Sequence, residues 1–73
     1  MKNIKERVGQ RVRQLRKARG LSQEQFAFEC GLDQTYISGI ENGKRNVSIV
    51  NVEKICKALG VSLKEFFEAT DFR

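Results

Sequence analysis

Gln34, Thr35, Ser38, Gly39 and Asn42 share a spacing that places them on one face of a helix. With Gln34 set at zero and about 100° per residue, they fall within roughly 140° of arc, while Asp33, Ile37 and Ile40 cluster on the opposite side. Solvated helix faces ordinarily carry Lys, Glu and Arg, and this one carries none. Amide and hydroxyl side chains both donate and accept hydrogen bonds, which is the chemistry that matches base edges in a nucleic-acid groove. Catalytic chemistry lacks its parts. The chain has no histidine, its two cysteines (Cys30 and Cys56) fall on apolar helix faces, and its carboxylates are scattered. Such a set offers no nucleophile with a base beside it and no zinc-ligand cluster, so no enzyme activity, cofactor or metal is expected.

A face of this kind works only if neighbouring helices hold it. From Gln23 to Asn42 the chain reads QEQFAFECGLDQTYISGIEN. Ala27 is small enough for a close helix crossing, Gly31 supplies a turn residue that tolerates positive φ, and Phe26, Cys30, Leu32, Ile37 and Ile40 form the apolar set between two helices. This spacing predicts a helix-turn-helix over about residues 22–42, with a free outer face on its second helix.

Helix starts are written into the sequence as caps. Ser22, Asp33, Ser48 and Ser62 each follow an apolar residue matched to another at N4: Leu21 with Phe26, Leu32 with Ile37, Val47 with Val52, Val61 with Phe66. These are N-cap and staple patterns, and Gln25 and Glu65 complete capping boxes for Ser22 and Ser62. A first helix starts near Asn3 with Glu6 as its box partner, carries Ile4, Val8, Val12 and Leu15 as its stripe, and ends at Gly20. The others run from Ser22 to Cys30, Asp33 to Asn42, Ser48 to Leu59 and Ser62 to Glu68. The fold class is therefore all-α with five helices, the inner faces of the last two being Val52, Ile55, Cys56 and Leu59, then Leu63, Phe66 and Phe67. The tail from Ala69 to Arg73, with Phe72 as its one large apolar residue, is expected to fray unless a partner covers it.

Seventy-three residues make a single domain, 1–73, because a chain this short buries only about 60% of its unfolded surface. The net charge of +5 is uneven: eight cations face a single Glu6 in the first twenty residues, a balance of +7 that leaves −2 for the remainder. That asymmetry suits a polyanion lying near the first helix. No export segment or membrane-length apolar run is present, so a soluble cytoplasmic protein with reduced core cysteines is expected. Val61, Leu63, Phe66, Phe67 and Phe72 are more apolar residues than so short a terminus needs. They predict a homodimer formed through about residues 59–73, with two recognition helices about 34–36 Å apart on a palindrome.

The segments RVRQLRKARGLSQEQFA, GLDQTYISGIENGKRN and ALGVSLKEFF, in this order and spacing, resemble the Cro and phage-repressor class, the XRE family of helix-turn-helix regulators. The resemblance implies a lambda-repressor-like domain binding double-stranded operator DNA. On so short a chain it is most similar to the controller proteins of restriction–modification systems, which act as dimers on their own promoters. Those proteins commonly carry arginine where this chain has Gln34, a departure that shifts the expected base at that position. By resemblance, Gln34, Thr35 and Ser38 meet base edges, and Gly39 lets the helix sit close to the groove floor. Gln23, Asn42, Lys44, Arg45 and Asn46 contact the backbone, and Arg16 with Glu41 forms an ion pair that orients the recognition helix. Tyr36, at the edge of the polar arc, is expected to reach a phosphate or sugar, against a half-buried core tyrosine. Glu24 and Glu29 would touch RNA polymerase if the protein activates transcription. An antitoxin that binds a toxin and autoregulates is the alternative function, and the DNA-binding part of a longer regulator is a further one. The basic first helix and the Lys44–Arg45 pair favour DNA binding, and the end of the chain soon after its fifth helix favours a complete small protein.

Overall fold

A computed structural model describes residues 2–73, the side chain of Asp71 excepted. Five helices follow one another: α1 Ile4–Ala18, α2 Gln23–Cys30, α3 Gln34–Glu41, α4 Ile49–Leu59 and α5 Leu63–Phe67. A short 3₁₀ turn, Thr70–Phe72, closes the chain. Every α-helix begins at a side-chain cap. Asn3, Ser22 and Ser62 each form a reciprocal box with Glu6, Gln25 and Glu65, while Asp33 accepts from the Thr35 amide and Ser48 from the Asn51 amide. Each such cap satisfies one of the amides that a helix start leaves unpaired, worth about 1 kcal/mol. In the last box, the Ser62 amide and hydroxyl hold the Glu65 carboxyl below its usual range.

The apolar stripes meet in one core of Val8, Val12, Phe26, Ala27, Cys30, Ile37, Ile40, Val52, Ile55, Cys56, Leu59 and Phe66. Leu21, Leu32, Val47 and Val61, the residues preceding four of the caps, pack against it. The α2–α3 turn passes through Gly31 at φ 70°, a left-handed conformation that closes α2. A second close approach lies between α1 and α3. A Cβ on buried Gly9 would overlap the Ile40 carbonyl oxygen and stand 3.1 Å from that of Glu41, so the backbone of α1 rests directly on the end of α3.

Two sequence expectations change at the C-terminus. The tail folds back on the domain: Phe72 is half-buried, with its ring 4.9 Å from Phe67 and 6.1 Å from Phe66. The expected dimer surface also loses members, because Phe66 is wholly buried in its own core and Val61 and Phe72 pack against that core. Leu63 and Phe67 stay exposed, at 41% and 38%, and the exposed apolar set continues to Ile4, Ile49 and Val50 at the starts of α1 and α4. A five-residue helix has too few turns for sequence periodicity to separate its inner from its outer phenylalanine. No helix among the described residues is long and apolar enough to cross a membrane.

Candidate nucleic-acid interface

The outer face of α3 has the composition read from its spacing. Gln34, Thr35 and Asn42 are exposed, Ser38 and Gly39 half-exposed, while Ile37 and Ile40 turn wholly inward. Thr35 also offers its amide to the Asp33 carboxylate at 3.0 Å, which fixes the first turn of the helix.

Glu41 anchors the other end. Its side chain is 1% exposed, and Arg16 grips it through Nε at 2.7 Å and a terminal nitrogen at 3.0 Å. The remaining Arg16 nitrogen donates to the Leu21 carbonyl at 2.7 Å, and the Gln23 amide donates to Glu41 at 3.1 Å. One carboxylate thus joins α1, α2 and α3. Two charges buried with their hydrogen bonds satisfied add little net stability, because desolvation offsets much of their attraction, but they fix direction. Gln23 stands at the first position of α2, half-buried, with one amide proton left for a further acceptor.

The loop after α3 is shaped from the opposite edge of the helix. Tyr36 is half-buried; its hydroxyl donates to the Asn46 carbonyl at 3.3 Å and accepts from the Asn51 amide at 3.2 Å. Its ring supports the Arg45 guanidinium, 5.2 Å from the centroid. The stem of Arg45 lies over Gly39, where any Cβ would collide with it, and the Gly39 carbonyl accepts the Lys44 and Arg45 amides at 2.9 and 3.2 Å. Gly39 therefore makes room for the protein's own arginine. Lys44, Arg45 and Asn46 remain exposed.

Not all the arginines on and just after α1 face outward. Arg11 donates to the Glu65 and Phe66 carbonyls, both at 2.7 Å, and Arg19 donates to the Ala58 carbonyl and lies 3.7 Å from Glu29. Cations placed on the last carbonyls of α5 and α4 complement those helix dipoles. Sequence reading missed these roles, and those of Gly9 and Asn51. Gly9 alone had left a signal, as an unexplained glycine inside a helical pattern.

Burial raises both thiols, Cys30 to about 11 with a contribution from Glu29, and Cys56 in the same direction. Both are core residues.

The profile of the helix-turn-helix family matches residues 12–66, which include α2, the turn and α3. This chain belongs to the helix-turn-helix family, of the XRE type. Among relatives of this helix-turn-helix protein, the control protein C.MunI of Mycoplasma sp is 56% identical over 68 residues, 92% of both chains. The control protein C.BamHI of Bacillus amyloliquefaciens is 55% identical over 69 residues, covering 93% of this chain and 85% of the relative. Among solved structures, the restriction–modification controller C.AhdI from Aeromonas hydrophila superposes with a TM-score of 0.83 at 51% identity, covering 86% of this chain and 96% of its own. A tetramer of the controller C.Esp1396I in complex with its natural 35-base-pair operator gives 0.86 at 40% identity, covering 93% and 90%.

Proposed function

We propose that this helix-turn-helix protein is a transcription regulator that binds a palindromic double-stranded operator as a homodimer and acts on its own promoter as a restriction–modification controller. The observation that carries this reading is the outward face of α3: uncharged hydrogen-bonding side chains, held at one end by the buried Arg16–Glu41–Gln23 cluster and followed by exposed Lys44 and Arg45. Gln34, Thr35 and Ser38 read base edges, while Gln23, Asn42, Lys44, Arg45 and Asn46 hold the backbone. Tyr36 acts chiefly by positioning Arg45 and Asn46.

The homodimer forms through Leu63 and Phe67 of the C-terminal patch expected from the sequence, together with the exposed Ile4, Ile49 and Val50. Exposed apolar side chains on the starts of α1 and α4 and on α5 support a contact with a second copy of the chain. The decisive experiment is selection of bound duplexes from a random pool, followed by sedimentation of the free and bound protein. Recovery of a palindrome bound by two protomers, with binding lost in Leu63→Glu, is the expected result. A pool without sequence enrichment refutes the reading.

A further inference from the structure

Six cations on and flanking α1 divide by what they touch. Arg11, Arg16 and Arg19 end on carbonyl oxygens or on Glu41. Lys2, Arg13 and Lys17 line an open groove of about 580 Å³ between α1 and the end of α3, together with Gln10, Gln14 and Asn42. Residues 10, 13, 14 and 17 lie at i, i+3, i+4 and i+7, so they form one face of α1. The groove also holds Glu6 and Glu41; Arg16 pairs with Glu41, so Glu6 alone stands against the groove's cations. The exposed Lys2, Arg13 and Lys17 therefore leave it positive.

Its position is as informative as its charge. With Gln34 at zero, Tyr36 lies near 200° and Glu41 near 340° around α3, on opposite edges of the reading arc, at about 100° per residue. Arg45 belongs to the Tyr36 edge. The α1 groove belongs to the Glu41 edge, so a duplex seated on the arc meets cations on both sides. We infer that Arg13 and Lys17 form a second phosphate-binding strip, which takes the DNA backbone on the side of the groove opposite the Lys44–Asn46 loop. This inference rests on the DNA-binding reading above. The two side chains are about 6 Å apart along the helix axis, and phosphates recur about every 3.4 Å of duplex axis per strand, so each reaches a different phosphate.

The test uses the operator duplex recovered by selection and three proteins: wild type, the double variant Arg13→Gln with Lys17→Gln, and Lys44→Ala. Each phosphate contact contributes a slope of about −0.9 in log affinity against log salt, so losing two per protomer should flatten a dimer's slope by about 3.6. Between 50 and 200 mM salt the double variant should then lose affinity about a hundredfold less steeply than wild type, with the same base preference. Both positions are exposed, and an unchanged melting temperature would confirm that the fold is intact. A wild-type slope in the double variant, with Lys44→Ala flattened, would overturn the second strip and leave the DNA reading standing. A wild-type protein without salt dependence would overturn both.

Discussion

Replacing Gly9 by alanine tests the contact on which the recognition helix rests. In an exposed helix this change stabilises by about 1 kcal/mol, because alanine has the higher helix propensity. Here the added Cβ would overlap the Ile40 carbonyl oxygen and lie 3.1 Å from both the Ile40 carbonyl carbon and the Glu41 oxygen. Every obstacle is backbone of α3 or its end, so no side chain can swing away, and α1 and α3 must separate. Overpacking of this kind costs about 1–3 kcal/mol; with rigid obstacles the upper end applies, leaving a net loss of about 2 kcal/mol after the propensity gain. For a domain of this size that corresponds to a fall in Tm of about 8–16 °C. Thermal melts followed by circular dichroism measure it, with Gln10→Ala, at an exposed neighbouring position, as the control expected to stay within about 0.5 kcal/mol. A Gly9→Ala protein as stable as wild type, or more so, would refute the close crossing.

Three further outcomes are expected. Gln34→Arg should move the preference at one base pair of each half-site from adenine toward guanine by about 1–3 kcal/mol, because arginine has only donors to offer; identical selected sequences would show that Gln34 reads no base. Glu41→Ala should destabilise by about 3–5 kcal/mol in denaturant unfolding, since it strands a buried Arg16, whereas Arg16→Met with Glu41→Leu should recover most of that stability but not operator affinity. Stability should fall as pH rises from about 9 towards about 11, because the unfolded thiol of Cys30 ionises first while the folded one, desolvated and facing Glu29, retains its proton. That alkaline limb should be shallower in Cys30→Ala, and an equal slope would assign it to other groups.

What was legible in the sequence was mostly local. Caps and staples involve residues three to five apart, so the starts of all five helices, at Asn3, Ser22, Asp33, Ser48 and Ser62, could be read in advance and are found there. The polar arc of α3 was equally legible, since it depends only on helical periodicity. Arg11 and Arg19 were not. Their carbonyl partners lie 55, 54 and 39 residues away, and nothing near them in the chain distinguishes them from Arg13, which lines the groove. Phe66 and Phe67 both read as inner-face residues of α5, although the staple with Val61 singles out Phe66, which is the ring that is hidden. Gly39 stands out in the sequence for a close approach to DNA, whereas the contact found at its missing side chain is with Arg45, which depends on how the loop folds back.

The anchoring of α3 at Glu41 has a consequence for how such proteins diverge. One end of the helix is fastened to the scaffold through a side chain, while at the other the side chains of Gln34 and Thr35 are exposed and only the Thr35 backbone amide is engaged, by the Asp33 cap. Substitutions there cost little stability, so they stay above the threshold below which a small domain is lost. On the proposed base-reading role of Gln34 and Thr35, a lineage can therefore exchange one operator for another through single changes at the open end, with each intermediate still folded. Changes at Arg16, Gln23 or Glu41 allow no such path, because they loosen the scaffold before any new operator is gained.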